Sequence, residues 1–307
     1  THKPGVGGSN PPLATNKNIM KLSVIIVSYK SDHLLTNLIK KFPKKYEIII
    51  IENFLQKKTK TELEKKFKNT KVIIPSLNLG YASAFNLGFK NCKNNYVITI
   101  TPDVTINKQL IFKIEKLLNS FKNFHLLAPE YKNKKIYQNY KPVFTSKNIL
   151  NYKGYSLEKV KDIDWCFCII NKKKFKTKNV LDQNYFLYFE TMDLCKDLFK
   201  KKKKMFIVKN LKFDHLGTSS TNKRYKLDIQ LNRNWHFSWS KFYYFKKHHN
   251  YFFAFKKIIP NIYQGILGIL ISLLRLNYPH VKLHYFSLMG LFNALFLRKS
   301  HYRPNIN

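Results

Sequence analysis

The sequence predicts an α/β fold built on a mostly parallel sheet, with a helical, basic region at its C-terminal end. Three observations carry this. Short β-branched runs alternate with helix-compatible segments from Leu22 to about residue 121. Those runs are continuously apolar, as suits strands buried on both faces. After Arg224 the chain changes to interleaved aromatic and basic residues, followed by two long apolar stretches.

Residues 1–19 stand apart. They hold Pro4, Gly5, Gly7, Gly8, Pro11 and Pro12 and no apolar run of signal-peptide length. They are expected to be a disordered leader. The string from Gly8 to Pro11 resembles a translated arm of a transfer-RNA gene, so Met20 is expected to be the start and the leader not native.

The first strand is Leu22-Ser-Val-Ile-Ile-Val-Ser28, and the second is Tyr46-Glu-Ile-Ile-Ile-Ile51. Val72-Ile-Ile74 and Tyr96-Val-Ile-Thr-Ile100 follow. Segments 32–41, 60–68, 82–91 and 109–121 read as the intervening helices. Alternation of this kind favours right-handed crossovers. Ligands in such sheets gather beyond the carboxyl ends of the strands. Here those ends carry Ser28, Tyr29, Glu52, Asn53, Asn78 and Asp103. Segment 163–170 reads as a further strand, a helix is expected to begin near Thr191, and Met205 to Val208 read as a strand.

Composition narrows the function classes without selecting one. Apolar residues at 44% exclude a wholly disordered chain, and 56 Lys+Arg face 17 Asp+Glu. That field favours anionic partners, although the dominance of Lys, Asn, Ile, Phe and Tyr equally fits A/T-rich coding. Cys92, Cys166, Cys168 and Cys195 are too few and scattered for a disulfide framework or a zinc site.

Four motifs occur in order. Asn78-Leu-Gly-Tyr-Ala-Ser-Ala-Phe-Asn86-Leu-Gly88 opens a helix after a strand. Its small residues suit close approach to a phosphate, or equally a turn and a packing contact. Thr101-Pro102-Asp103 places a carboxylate at a strand end, where it can reach a divalent cation or stabilise its own turn. Tyr185-Phe-Leu-Tyr-Phe-Glu190-Thr-Met-Asp193-Leu-Cys195 delivers two acids onto a helix's first turn. The helix dipole alone would explain Asp193. Phe213-Asp-His215 supplies an imidazole that is either a metal ligand or structural.

As an ordered set from Leu22 to Ser220, these motifs resemble glycosyltransferase family 2, within it the bacterial rhamnosyltransferase-like members. Val24 to Tyr29, Glu52-Asn53, the Asn78–Gly88 motif, Thr101-Pro102-Asp103, the Asp164-Trp165 strand, the Glu190 segment and His215 each fall where that family has its motifs. The resemblance implies a GT-A fold, a Rossmann-like mixed sheet that binds a nucleoside diphosphate sugar (UDP- or dTDP-linked). It implies Glu52 facing the nucleobase, with Ser28, Tyr29, Asn53, Asn78, Gly80, Asn86 and Trp165 around the nucleotide sugar. Asp103 and His215 would hold Mg²⁺ or Mn²⁺. Thr101 and Glu52 replace the usual Asn and Asp, and Cys166-Phe-Cys168 replaces a small segment. Thr191 replaces the family's usual general base, leaving Glu190 and Asp193 as candidates. Of these Glu190 is favoured, because the helix's amide donors should hold Asp193 acidic.

The expected domains are 20–223, catalytic, and 224–307, a basic aromatic helical region associated with a membrane. Ile262 to Leu274, bounded by Pro260 and Arg275, is short of the roughly 20 residues of a spanning helix. It is therefore expected to lie in the headgroup region of an anionic membrane, at the cytoplasmic face, or to cap the catalytic domain. The expected reaction is metal-dependent inverting transfer to a glycan or lipid-linked acceptor in cell-envelope polysaccharide synthesis. A catalytically degenerate sugar-nucleotide-binding or scaffold protein is the alternative. A basic nucleic-acid-binding protein, which the charge and the aromatic-basic interleaving would also suit, ranks below both because it would leave the four ordered motifs a coincidence, and no nucleic-acid partner is expected.

Overall fold

A computed structural model describes residues 21–133, 138–143, 149–215 and 225–303. The leader 1–19 and the Gly217-Thr-Ser-Ser220 segment lie outside the described residues. In chain order the elements are β1 (Ser23–Ser28), α1 (Asp32–Ile39), β2 (Glu47–Glu52), α2 (Lys57–Lys66), β3 (Thr70–Ile73), α3 (Gly80–Asn91), β4 (Tyr96–Ile100), β5 (Val104–Thr105), α4 (Lys108–Ser120) and β6 (Leu126–Tyr131). They continue as β7 (Tyr140–Pro142), β8 (Ile149–Tyr152), β9 (Tyr155–Ile163), β10 (Phe167–Asn171), α5 (Glu190–Lys200), β11 (Met205–His215), α6 (Lys226–His248), α7 (Tyr251–Leu274) and α8 (Tyr278–Leu295).

The main sheet path runs β3-β2-β1-β4-β10-β6-β11-β9-β7. Its first half, β3-β2-β1-β4, is parallel. Beyond β4 the pairing turns mixed: β10 runs antiparallel to both neighbours, while β11 runs parallel to β6. Alternation along the β-branched runs explains the layering. Val24, Ile26, Ile48 and Ile50 pack on one face with Leu35 of α1 and Leu110, Ile114 and Leu117 of α4. Ile25, Ile49 and Ile51 face the other way, against Phe85 and Phe89 of α3 and Leu198 of α5. The four cysteines are free and buried.

Two stretches differ from the sequence reading. Segment 163–170 is not one strand: β9 ends at Ile163 and β10 begins at Phe167. The Asp164 side chain accepts the Cys166 amide at 3.1 Å and turns the chain from an outer strand into the sheet's centre. In addition, α7 starts well before Pro260, at Tyr251, where the Asn250 side chain accepts the Phe253 amide at 2.8 Å, and it runs through the proline.

The last three helices pack together around Trp235, Trp239, Phe242, Ile258 and Leu291. Close approach is built in by glycine: a Cβ at Gly265 would overlap Leu288, and one at Gly290 would overlap the Trp235 carbonyl. Helix α6 also lies against the sheet domain. Ser240 donates to the Leu187 carbonyl at 2.9 Å, Tyr243 donates to Asp182 at 3.1 Å, and the His236 ring stacks on Phe186 at 4.3 Å.

Candidate active site

A cleft of about 600 Å³ opens at the carboxyl ends of β1 and β4, where the strand order reverses direction from β1 and a ligand crevice is expected. Tyr29, Asn53, Asn78, Gly80, Asp103, Trp165, Glu190 and His215 all line it.

Ser28 and Glu52, expected beside the nucleotide, are register partners on β1 and β2 but are buried in the strand ends and do not line the cleft. Burial pushes the Glu52 carboxyl above its ordinary range, against hydrogen bonds from Ser28 and the Phe54 amide. Tyr29 meets Phe54 edge to face at 5.7 Å, and its hydroxyl is buried without a partner. The Lys30 ammonium, held in by a left-handed backbone (φ 54°), lies 3.5 Å from the Tyr225 ring centroid and 4.9 Å from that of Phe54. No sequence signal pointed to this aromatic cage.

The next wall is the start of α3. Asn53 donates to the Gly80 carbonyl at 3.0 Å and accepts from the Leu79 amide at 3.3 Å, while Asn78 accepts from the Gly80 amide at 3.0 Å. Gly80 has φ 71°, and a Cβ there would overlap the Phe186 carbonyl oxygen. Both facts restrict the position to glycine. Asn86, expected beside the nucleotide, does not line the cleft. Its side chain donates to the Leu181 carbonyl at 2.7 Å and accepts the amides of Val180 and Leu181, each at 3.0 Å. All of its amide capacity except one donor is thereby occupied in pinning that loop.

Asp103 and His215 converge because β5 pairs antiparallel with β11, setting Val104 opposite His215. His215 Nε2 lies 3.2 Å from Asp103 Oδ1. Burial alone would push the Asp103 carboxyl up, but the hydrogen bond and charge of His215 outweigh it and hold it below the ordinary range. Reciprocally, the bond to Asp103 raises His215 against burial. One carboxylate and one imidazole suit a cation whose other ligands come from a diphosphate and water. Among the described residues no cluster of three or more His, Cys, Asp or Glu ligands is present.

Glu190 opens α5 and is preceded by two left-handed residues, Tyr188 (φ 70°) and Phe189 (φ 66°). Aromatic residues rarely adopt that conformation, which costs on the order of 1–3 kcal/mol each. It turns the Glu190 side chain into the cleft wall, where Oε2 is buried without a partner. Burial pushes its carboxyl up to about 7, with the charges of Asp164 and Asp193 adding to the effect. Asp193 points elsewhere, into a neighbouring polar cavity beside Asp182. There Lys247 approaches it at 2.7 Å, His248 at 2.8 Å and the Tyr185 hydroxyl at 3.3 Å. Trp165 is buried, packed edge to face on Phe85 at 5.1 Å, and its Nε1 has no partner.

Cleft residues that the sequence reading gave no site role include Asp164, in the β9–β10 turn, and Asn232 and Arg233 on α6. Helix α6 therefore completes one wall of the cleft.

Residues 23–177 match the profile of glycosyl transferase family 2. The low-salt glycan biosynthesis hexosyltransferase Agl10 of Haloferax volcanii is 25% identical over 189 residues, 57% of this chain and 60% of its own length. The chain thus spans less than two thirds of that relative. Among solved structures, the mannosyltransferase PcManGT from Pyrobaculum calidifontis, in complex with GDP-Man and Mn²⁺, superposes with a TM-score of 0.53 at 8% identity, covering 91% of this chain and 88% of its own. GalNAc-T7, with UDP, GalNAc and Mn²⁺, gives 0.50 at 14% identity, covering 80% of this chain and 58% of its own. The order of the motifs, the mixed sheet and the profile over half the chain agree, and the chain belongs to glycosyl transferase family 2, with a GT-A fold.

Proposed function

We propose that the protein transfers a hexosyl or rhamnosyl group, with inversion, from a nucleoside diphosphate sugar to a hydroxyl of a glycan or lipid-linked acceptor. The observation that carries this is the placement of Glu190 and the Asp103–His215 pair on one cleft, the first with a free buried oxygen. In an in-line displacement the acceptor oxygen forms its bond to the anomeric carbon as the bond to the diphosphate breaks. The acceptor proton passes to Glu190, whose raised affinity suits a general base near neutral pH. Asp103 and His215 would hold Mg²⁺ or Mn²⁺, which neutralises the leaving diphosphate. Asn53, Asn78 and Gly80 shape the helix start beside the nucleotide, with Tyr29 and Glu52 at its base.

Asp193, already paired with Lys247 and His248, holds α5 against α6 in this reading and is not the base. Residues 20–223 form the catalytic domain, and the basic helical region 224–307 associates peripherally with the inner face of an anionic membrane, in cell-envelope polysaccharide synthesis. Agl10, a glycan-biosynthesis hexosyltransferase, supports hexosyl transfer into a glycan.

The test is a panel of UDP-, dTDP- and GDP-linked sugars, scored for thermal stabilisation and for hydrolysis with and without Mn²⁺ or Mg²⁺. Metal-dependent stabilisation by at least one donor, with turnover, is expected. Binding without turnover for any donor or acceptor would favour the degenerate, non-catalytic reading that Thr191 raises. No binding at all would remove the proposal.

A further inference from the structure

Helix α6 grips the segment that leads into Glu190. The His236 ring stacks on Phe186 at 4.3 Å, and Ser240 donates to the Leu187 carbonyl at 2.9 Å. Phe237 packs on Tyr188 at 5.6 Å and on Phe189 at 5.3 Å. Residues 186–189 are thus held in succession by one helix. Two of them are the left-handed pair, and strained backbone persists only where its surroundings over-determine it. Phe186 also serves the opposite wall. Its carbonyl accepts the Tyr81 amide at 2.7 Å, and its ring and carbonyl leave no room for a Cβ at Gly80. One buried phenylalanine therefore joins the Gly80 turn to the approach to Glu190.

His236 is fully buried, and both of its nitrogens are used. Nε2 lies 2.9 Å from the Tyr302 carbonyl oxygen, and Nδ1 lies 3.0 Å from the Ser300 hydroxyl. A carbonyl only accepts, so Nε2 carries the proton and Nδ1 accepts from Ser300. Burial pushes protonation of the ring down to about 3, which keeps it neutral. The same tail returns to Phe186, where the Arg303 guanidinium carbon lies 4.0 Å from the ring centroid. Close-packed interiors yield little, so a shift of His236 passes to Phe186 and from there to both walls.

We propose that His236 is a positioning residue for the cleft: tied to the tail through Ser300 and Tyr302, it fixes Phe186, and through Phe186 both the Gly80 turn and Glu190. The inference rests on the reading that the Gly80 turn meets the donor and that Glu190 is the general base. Residues 300–303, which touch neither reactant, thereby take part in setting the geometry of the reaction.

The experiment compares three variants of the full chain with wild type. His236→Phe keeps a stacking ring but loses both hydrogen bonds, and His236→Gln restores a donor and an acceptor. Ser300→Ala removes one bond and leaves α6 intact, so it carries the comparison should His236→Phe fail to fold. Hydrogen–deuterium exchange, read peptide by peptide, needs no ligand. In His236→Phe it should quicken at least about tenfold in residues 80–91 and 185–193, while β1, β2 and β4 stay protected. Hydrolysis of UDP-glucose, dTDP-rhamnose and GDP-mannose with Mn²⁺ gives the second readout. For a donor that wild type turns over, KM should rise and kcat should fall, each by about tenfold or more, in His236→Phe. His236→Gln should recover most of both, and Ser300→Ala should shift both in the direction of His236→Phe. Faster exchange spread evenly over the sheet, or a lowered melting temperature with unchanged kinetics, would overturn the proposal by reducing His236 to packing. A His236→Gln no better than His236→Phe, beside a Ser300→Ala equal to wild type, would overturn it by showing the tail bonds to be idle. Wild type inert towards every donor would sink the functional reading and this inference with it, whereas an active wild type with unmoved variants sinks this inference alone.

Discussion

His215 Nε2 stands 3.2 Å from Asp103 Oδ1 although 112 positions separate them, because a two-residue strand, β5, pairs with the end of β11. The pair polarises itself: the proton that Asp103 stabilises on His215 occupies the nitrogen that a cation would need. Metal and proton should therefore compete. Mn²⁺ affinity is expected to fall as pH drops through the raised titration of His215, and turnover to fall with it. Asp103→Ala should remove at least about 10²-fold of metal-dependent turnover while the fold survives. Mn²⁺ titration at pH 6 and pH 8 checks the first expectation, and circular dichroism beside kinetics checks the second. Affinity that ignores pH across that range would mean His215 is not a ligand.

Glu190 and Asp193 share one turn of α5 but face different cavities. Glu190→Gln should lower kcat by about 10²–10⁴-fold, the usual worth of a general base, with donor affinity preserved. Asp193→Asn removes the negative partner from Lys247 and His248. It is expected to cost about 1–3 kcal/mol of stability with kcat changed less than Glu190→Gln changes it. Denaturant melts and steady-state kinetics on both variants separate the roles. An active Glu190→Gln beside a folded but inactive Asp193→Asn would exchange the assignments.

The same carboxyl makes stability depend on pH with a definite sign. Folded, Glu190 keeps its proton to about pH 7, whereas its ordinary value is 4.5. Between those limits the native state binds more protons than the unfolded chain, so stability falls as pH rises and the loss is complete above about 7. At roughly 1.4 kcal/mol per unit, the loss is at most about 3.5 kcal/mol. Glu190→Gln has nothing to ionise. Its melting temperature at pH 8 should exceed that of wild type, and the difference should vanish near pH 4.5. Thermal melts across that window decide it. An equal or lower melting temperature at pH 8 would show that Glu190 is not held in a desolvated site.

What could be read in the sequence follows from how local each signal is. The strands β1, β2 and β4 declare themselves because continuous β-branched runs leave little else open. Asn78 and Gly80 were legible because a side chain and a φ angle there serve one short, self-contained turn. The turn at Asp164 was hidden because apolar residues flank it on both sides, so a turn between two strands reads as one strand. Asn86 misled for the opposite reason: its hydrogen bonds go to residues 180 and 181, and nothing local distinguishes such a distant backbone clamp from a ligand contact. The left-handed pair Tyr188–Phe189 contradicts residue preference outright, and only tertiary packing explains it. The aromatic-basic spacing of α6 could not reveal that Arg233 and Asn232 turn towards the cleft, since the same spacing serves a lipid surface.

The final expectation concerns that lipid surface. Among the described residues, α7 is the one helix long and apolar enough to cross a membrane, with only 17% of its most apolar window buried. Its buried side meets α8 through Gly265, which leaves Leu267 at 57% exposed, Leu270 at 54% and Leu274 at 86%. An apolar face of this kind in water is unfavourable by about 25 cal/mol per Å². Arg275 directly follows α7, Lys282 is on α8 and Arg298 lies just beyond it, and Asp228 is the sole carboxylate side chain after Arg224. Apolar area bordered by cations suits the headgroup region of an anionic bilayer. Vesicles containing phosphatidylglycerol should therefore capture the full chain at low salt, and pure phosphatidylcholine vesicles should capture it less. Replacing Leu267 and Leu270 together by Asp should weaken capture by about 10²-fold or more, since each leucine contributes roughly 1.5–3 kcal/mol when buried. Both substituted positions lie outside the cleft, so donor binding in solution should be unaffected. Raising the salt should release much of the bound wild type if α7 lies in the interface, whereas a spanning helix would stay. A full chain that floats with neither kind of vesicle at low salt would leave the exposed face to a protein partner instead.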